Sequence, residues 1–556
     1  MIKFSNFKKY INFLSFIFII SFSFMVNFYY GHQGLMPLDD LQNFNSGHRI
    51  LKGDFPFRDY YSITGPFLDL TQYLFYKIFG SSWGSLVIHA STINSMFAAS
   101  IFIFFKKLNF TSFECFIFSI CSGLLMYPPA GNPTVEHSSL IFSLIGMILF
   151  FLGIKENKKF YISISAIIFT LSFFTKQVPT VYFIVFCFLI YLFKIFGKRN
   201  SSSLLVFIFT GFSSTVIVLF FFKINNVSLN EILDQYIYIA ATIGENRFSN
   251  INFGIFYDKI SKIFFLCFLL IPTIYLAINK KNIHPIVLIF GLVFILCFYE
   301  LHSNNQPISF GTLPLIIGLF YYLTIRFEFK SNIVKYFFYF LIIYCIFRIL
   351  RFEIYYTIFL IIFLSLIPKF SSLFKFSLII YLLITTCFYF EKYIKIRSWD
   401  DLNKEDLDKY FEANIIDKKL GKLKWKTVYY SNSKEELKLI LETIKYLKSV
   451  SSDKNYLLIT EYQIYNLILD KRDFSPVKYW HLGVSYPSKT HPKRFEFELF
   501  FKNKFSKYNI DQIIFDNTAD FKSNHLHEFK WLEKCVYKKE SHQYLDIFYL
   551  KKNCIS

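Results

Sequence analysis

Over its first 390 residues the chain alternates between long apolar stretches and short polar connections. An apolar stretch of about 20 residues is long enough to cross a bilayer as a helix. Thirteen such stretches predict a polytopic helical membrane protein, although 160–175 and 353–367 are on the short side. The predicted spans are 10–30, 84–105, 112–128, 137–154, 160–175, 178–196, 203–222, 261–278, 284–300, 307–325, 333–348, 353–367 and 373–390.

After residue 390 the pattern changes to short segments of mixed period. Strands alternating with helices predict a small α/β domain. The fold class is therefore predicted as mainly α, a polytopic membrane protein with a small C-terminal extracytoplasmic α/β domain. The tail contains no Gly-rich phosphate loop and no nucleophile elbow. Its predicted helices are 434–447, 464–469 and 495–507, and its predicted strands are 455–460, 511–515 and 544–549.

Composition and charge support this topology. The chain is 54% apolar and 22% aromatic, with 76 Phe, which excludes a soluble enzyme carrying one anchor. Of the net charge of +21, residues 1–390 carry +14, mostly as lysine on alternate loops. The positive-inside rule places those loops in the cytoplasm, so the sign requires no nucleic acid. An odd number of spans then places the tail on the outer side, and Arg348 and Arg351 are the exceptions to this count.

Cysteine use gives no disulfide framework. Seven of the nine cysteines lie in apolar stretches, where they behave as small hydrophobes. Only Cys535 and Cys554 lie in the tail, where an oxidising compartment would allow them to pair but the sequence does not require it.

An acidic pair follows the first predicted span. Asp39 and Asp40 open the polar segment 36–66, on the side opposite the lysine-rich N-terminus. Adjacent carboxylates suit proton abstraction from a hydroxyl or coordination of a divalent cation, and their repulsion raises the pKa of one of them. The alternative is a helix cap, because Pro-Leu-Asp-Asp also suits the first turn of a short helix.

The continuation of this segment carries a family resemblance. It reads RILKGDFPFRD at 49–59, Gly65-Pro66, and YKIFG at 76–80. Together with the acidic pair, this resembles the first external loop of GT-C glycosyltransferases that use polyprenyl-phosphate sugars, of the protein O-mannosyltransferase and aminoarabinose-transferase type. Asp39-Asp40 stands where those proteins have Asp-Glu, and Phe57 stands at their Tyr position. The resemblance covers residues 1 to about 200, and the rest only in layout.

The resemblance implies roles for further outer residues. Glu136, with His137 beside it, matches an acidic position near the donor phosphate or a metal; the alternative for Glu136 is a helix-dipole partner. Lys176, within Phe174-Thr175-Lys176-Gln177, matches a lysine that could bind the phosphate of the donor. The alternative is that its side chain simply snorkels to the headgroups. In the polar loop at 300–307, His302 is a candidate for binding the substrate; the alternative is that this loop is simply solvated.

Residues 229–239 predict an amphipathic helix lying in the membrane interface. Its apolar positions fall roughly on one helical face and its polar positions on the other. The apolar set is Leu229, Ile232, Leu233, Tyr236, Ile237 and Ile239.

The leading hypothesis is an integral membrane hexosyl- or pentosyltransferase of the cell envelope. It moves a sugar from a polyprenyl-phosphate donor to an outer acceptor hydroxyl on a lipid, polysaccharide or protein, with Asp39 or Asp40 as general base. No cofactor is certain, and a divalent cation held by Asp and Glu136 stays open. The alternatives are a transporter or flippase, or a polysaccharide polymerase or ligase. We expect a bacterial inner membrane, a GT-C-like domain at 1–390 with outer loops 31–83, 127–136 and 223–260, and an outer domain at 391–556.

Overall fold

The structure is a computed structural model. It describes residues 2–196, 202–242, 311–325, 372–404, 409–427, 432–450, 454–516, 528–551 and 554. The predicted spans 261–278, 284–300, 333–348 and 353–367, the start of the span 307–325, and His302, Arg348 and Arg351 lie outside these residues.

The described membrane part is a helix bundle. Four helices are long and apolar enough to cross a bilayer, beginning at Tyr10, Trp83, Val135 and Ser202, and three further apolar helices are shorter. Each predicted span up to residue 224 coincides with one of these helices, which confirms the polytopic helical class. The bundle helices are α1 (Ile2–Tyr30), α4 (Trp83–Lys107), α5 (Ser112–Leu125), α6 (Val135–Glu156), α7 (Lys159–Phe173), α8 (Gln177–Phe196), α9 (Ser202–Ile224), α11 (Leu313–Ile325) and α12 (Ser372–Tyr389).

Buried amides join the helices of the bundle to one another. Asn94 on α4 donates to the backbone carbonyls of Ser23 at 3.0 Å and Gly123 at 2.8 Å, so one side chain ties α4 to α1 and α5. Asn27 on α1 likewise donates to Ser91 Oγ at 3.0 Å and to the carbonyl of Gly131 at 3.1 Å. Apolar packing cannot distinguish a neighbouring helix from lipid, so such bonds give helix contacts in a membrane their specificity.

The segment between α1 and α4 folds as two helices, α2 (Pro37–Leu51) and α3 (Phe67–Phe79). The backbone between them closes onto the α7–α8 connection, where the amide of Gly65 donates to the carbonyl of Thr175 at 3.0 Å. A Cβ on Gly65 would lie 1.8 Å from the carbonyl oxygen of Phe174. Glycine is therefore the residue that permits this approach.

After α9 the chain turns into the 229–238 segment, which comprises α10 (Leu229–Ile232) and a π-helical turn, Leu233–Tyr238. A helix was predicted here, but the prediction that its apolar residues share one face was wrong. Ile232 and Tyr236 are buried, whereas Leu233 is exposed. Gln235 lies on the buried side because its side chain bonds the backbone of Phe57 and Ser62.

The tail forms a four-stranded sheet with strand order β3-β4-β6-β5. β3 and β4 are parallel, and the remaining pairs are antiparallel. All six predicted tail elements are present, and the sequence did not reveal β5. The elements are β1 (Phe411–Glu412), β2 (Lys424–Trp425), α13 (Ser433–Ser449), β3 (Asn455–Ile459), α14 (Tyr465–Ile468), α15 (Arg494–Tyr508), β4 (Ile510–Asp516), α16 (Lys530–Cys535), β5 (Val536–Ser541) and β6 (Leu545–Leu550).

The tail domain packs directly on the segment that follows α1. Arg49 on α2 donates to the carbonyls of Ser475 at 2.7 Å and Val477 at 2.9 Å. Lys424 in β2 donates its amide to the carbonyl of His32 at 2.9 Å. These contacts place the tail on the same side of the bundle as Asp39. A disulfide joins Cys535 to Cys554 within the tail.

Candidate functional site

Three connections converge at the tail-facing end of the bundle, and each contributes one charged side chain. Asp39 lies in the first turn of α2, and Glu136 lies in the first turn of α6. Lys176 lies between α7 and α8. The carboxylate of Asp39 interacts electrostatically with both of the others. The structure therefore brings together three of the residues that the sequence singled out.

Glu136 and Lys176 form an ion pair between Oε1 and Nζ. The side chains are only partly buried, with 29% of Glu136 and 22% of Lys176 exposed, so the pair is open to a ligand. The backbone on either side of Lys176 is held in place. Thr175 accepts the amide of Gly65, and Gln177 donates to the carbonyl of Tyr236.

A further bond fixes α2 against the loop that precedes Glu136. Asn43, one turn beyond Asp39 on α2, donates to the carbonyl of Pro133 at 2.7 Å. Residues four apart lie on one face of a helix. The bond therefore sets the face of α2 that carries Asp39 beside the start of α6.

Asp39 has the electrostatics of a general base. Its side chain is exposed, yet the protein around it removes much of its bulk hydration. This desolvation, followed by the charge of Glu136, raises the pKa of Asp39 to about 6, while Lys176 opposes the rise. A carboxylate with a pKa near 6 is ionised at neutral pH and still takes up a proton readily.

Asp40 has a different environment, although it is the next residue. It is buried, and its Oδ2 accepts the amide of Met36 at 2.8 Å, which caps the start of α2. Burial, and then the nearby charge of Asp400, raise its pKa well above the usual range. The two aspartates thus divide the two predicted functions of the pair, because Asp40 caps the helix and Asp39 faces the ion pair.

Arg397 holds this end of the bundle together, and no pattern in the sequence singled it out. It is buried, with 1% of the residue exposed. Its guanidinium donates to the carbonyls of Pro128, Pro129 and Ala130 at 2.9–3.0 Å, and its Nε donates to Asp400 at 3.0 Å. The residue lies beyond the last membrane helix, so it ties the start of the tail to the loop that leads into Glu136.

The two histidines singled out from the sequence have different outcomes. His137 is fully buried, and its Nδ1 lies 2.7 Å from Thr134 Oγ1. Its ring also packs against Tyr127 and Trp399. It therefore supports the loop before α6 from within. His302 lies outside the described residues.

The other acids of the segment that follows α1 bind basic groups, most of them from the tail. Asp54 bonds Arg49 at 3.3 Å and Arg472 at 2.5 Å. Asp69 bonds Lys478 at 2.6 Å. Both carboxylates are fully buried. Carboxylates satisfied in this way are structural, in contrast to Asp39, which interacts with Glu136 and Lys176.

The described residues do not form a cation site made of protein alone. No group of three or more His, Cys, Asp or Glu side chains gathers for metal binding among them. The ammonium of Lys176 already occupies one oxygen of Glu136. Mg²⁺ and Ca²⁺ require about six or more oxygen ligands, so the available carboxylate oxygens of Asp39 and Glu136 are too few without water and substrate.

Comparisons with known proteins concern the fold alone. No protein-family model matches the sequence, and no characterised protein sequence matches it either. The crystal structure of ArnT from Cupriavidus metallidurans bound to undecaprenyl phosphate has a TM-score of 0.46 and 9% identity, over 97% of this chain and 98% of that one. The Archaeoglobus fulgidus oligosaccharyltransferase in complex with Zn and sulfate has a TM-score of 0.43 and 11% identity, over 90% of this chain and 68% of that one.

A third match is the archaeal oligosaccharyltransferase AglB from Archaeoglobus fulgidus in complex with an inhibitory peptide and a dolichol-phosphate. It has a TM-score of 0.41 and 12% identity, over 92% of this chain and 70% of that one. A similarity of this size assigns no substrate and no catalytic residue.

Proposed function

We propose that the chain is a membrane glycosyltransferase that moves a sugar from a polyprenyl-phosphate carrier to an acceptor hydroxyl on the extracytoplasmic side. The observation that supports it most is the placement of an exposed carboxylate, with its pKa raised to about 6, beside a partly open ion pair. Glycosyl transfer from such a donor needs a base for the acceptor and a cation for the leaving phosphate.

In this proposal Asp39 accepts the proton of the acceptor hydroxyl. The hydroxyl oxygen forms a bond to the anomeric carbon, and the bond from that carbon to the phosphate oxygen breaks. The electron pair leaves with the polyprenyl phosphate, which gains negative charge. Lys176 stabilises that charge as a point donor, and Glu136 orients the ammonium before the donor binds.

The geometry also suits a substrate that stays in the membrane. The three side chains lie where α1 and α7 end, and in this proposal the phosphate of the lipid donor binds at the same end of the bundle. A base held by a short helix, a counter-ion held by a tight connection and a buried Arg397 behind the loop that leads into Glu136 form a preorganised site.

The test is the release of polyprenyl phosphate, measured by mass spectrometry. The full chain in nanodiscs is supplied with polyprenyl-phosphate sugars and a membrane extract as the source of acceptor. We expect Asp39→Asn to lower release about 10²–10⁴-fold, because an amide cannot take up the proton. Glu156→Gln, at the opposite end of the helix that carries Glu136, is the matched control and keeps its rate.

Equal release by Asp39→Asn and the unmodified chain would refute the role of Asp39. Movement of intact donor across a vesicle bilayer, without any release, would support a flippase in place of a transferase.

A further inference from the structure

An apolar surface remains open where the tail domain meets the 229–238 segment. On α15, Phe495 is 75% exposed, and Leu499 on the next turn is also exposed. On the 229–238 segment, Leu233, Ile237 and Tyr238 are exposed as well. We call these five side chains the apolar edge.

Two contacts hold the elements that carry the apolar edge together. The ammonium of Lys493, just before α15, bonds Asp234 at 3.0 Å and lies over the ring of Tyr238. Thr242 Oγ1 lies 2.7 Å from His491 Nε2. The start of α15 is therefore fixed beside the 229–238 segment.

The apolar edge continues the lipid-facing side of the bundle. α9 is long and apolar enough to span the membrane, and only 6% of its most apolar stretch is buried. It ends at Ile224, which is exposed, and Leu229 at the start of the next helix is exposed too. Exposed apolar side chains thus extend from the end of α9 to the 229–238 segment, and α15 adds further ones beside it.

From this continuity we infer that the apolar edge is immersed in the phospholipid leaflet on the tail side of the membrane. Aromatic and aliphatic side chains are buried at this depth, between the lipid headgroups and the acyl chains, whereas in water their apolar surface would stay exposed. The tail domain is then anchored in the leaflet by α15 as well as being attached to the last membrane helix.

The immersed edge borders the candidate site. Gln177, next to Lys176, donates to the carbonyl of Tyr236 in the 229–238 segment. The leaflet therefore reaches the connection that carries Lys176, and a lipid-borne ligand has a path to it along the membrane surface. Contact of the edge with lipid does not depend on sugar transfer.

Photo-crosslinking tests the inference. The full chain carrying Phe495→p-benzoylphenylalanine is reconstituted into vesicles of phosphatidylethanolamine and phosphatidylglycerol with a trace of alkyne-tagged phosphatidylcholine. After irradiation, the tag is coupled to a fluorophore, and labelled protein is read on a gel. We expect labelling near that of the same probe at Phe212 on α9, and about ten-fold above that at Tyr537 on β5.

Tyr537 is the matched control because it is an exposed aromatic residue of the same domain, on the outermost strand of the sheet. Leu499 is a second test position, should the probe at Phe495 disturb the fold. Lipid labelling at 495 and 499 no stronger than at 537 overturns the inference. A protein–protein adduct in place of the lipid adduct also overturns it, and assigns the edge to a second copy of the chain.

Discussion

The two ends of α6 carry the same kinds of charged residue in opposite proportions. At its start, Glu136 pairs with Lys176 while Asp39 interacts with both. At its end, Glu156 pairs with Lys107 at 2.9 Å and Lys158 at 3.0 Å. Two acids thus share one lysine at the first end, and two lysines share one acid at the second.

The ratio of acids to lysines affects the net charge of each end of α6. Two lysines neutralise Glu156 and leave a net positive end, as the positive-inside rule expects of a cytoplasmic face. At the other end desolvation raises the pKa of Asp39 first and the charge of Glu136 raises it further, while Lys176 only partly opposes the rise. The two ends therefore differ in burial as well as in how many counter-ions each carboxylate has.

The largest expected effect is on the stability of the site end. Arg397→Met leaves Asp400 and three loop carbonyls without their buried donor, and we expect a loss of about 3–5 kcal/mol in the free energy of unfolding. Thermal unfolding in detergent measures it. Lys158→Ala at the other end, where 57% of the lysine side chain is exposed, is the control, with an expected cost below about 1 kcal/mol.

The loss in Arg397→Met should depend on pH. Burial raises the pKa of Asp400 to about 6 in the folded protein even though Arg397 lowers it, so removal of Arg397 raises this pKa further. The extra loss of stability in the variant is therefore small at low pH, where Asp400 is protonated with or without Arg397, and grows as pH rises through about 6. A variant that is no less stable at pH 8 than at pH 5, relative to the unmodified chain, contradicts the assignment of a buried unpaired carboxylate.

A comparable effect on catalysis is expected from the lysines. Lys176→Ala removes the cation that pairs with Glu136 and acts on Asp39, and we expect release of polyprenyl phosphate to fall about 10²–10³-fold. Lys107→Ala removes the corresponding partner of Glu156 and should change release by less than about two-fold. Equal losses in the two variants would mean that the comparison of the two ends has no catalytic meaning.

A smaller effect is expected at Gly65, whose backbone supports the site end. In Gly65→Ala the new methyl group meets the carbonyl of Phe174, and the connection that carries Lys176 must move. We expect a loss of about 1–3 kcal/mol in the free energy of unfolding, together with slower transfer. Gly84→Ala is the control, since its nearest neighbour is 3.7 Å from the added Cβ. Unchanged stability and rate in Gly65→Ala would show that the close approach is dispensable.

The smallest expected effect is a shift in the pH profile. The rate per unit of donor should rise with pH through about 6 as Asp39 ionises. Glu136→Gln removes a charge that raises this pKa, so the inflection should move to lower pH by about one unit. Residual activity of Lys176→Ala should show the opposite shift. If the inflection moves in the same direction in Glu136→Gln and Lys176→Ala, the pH profile reports another group. The same conclusion follows if the inflection moves in Glu156→Gln.

Periodicity was sufficient to predict the helices of the described membrane part and six elements of the tail. Long apolar runs and alternating strands carry their own signal, as in α4 and β4. β5 was missed because Val536–Ser541 is mostly charged and polar. Such a composition is common in a strand at the edge of a sheet, where charges prevent pairing with another chain.

The candidate site was predicted in its members but not in its arrangement. Asp39, Glu136 and Lys176 each follow or precede an apolar run, so each could be found locally. The division between Asp39 and Asp40 depends on the bond to Met36, and the role of Arg397 depends on contacts with residues almost 270 positions earlier in the chain. Contacts of that range leave no pattern in a single sequence.

The docking of the tail on α2 also has a consequence for how the chain can be made. Asp54 and Asp69 leave the ribosome some 400 residues before Arg472 and Lys478, the groups that neutralise them in the finished protein. A polypeptide shortened to its membrane part would keep Asp54 with Arg49 alone and Asp69 without Lys478, in a surface shaped to be covered. The helices α2 and α3 therefore reach their final contacts only when the last third of the chain has been translated.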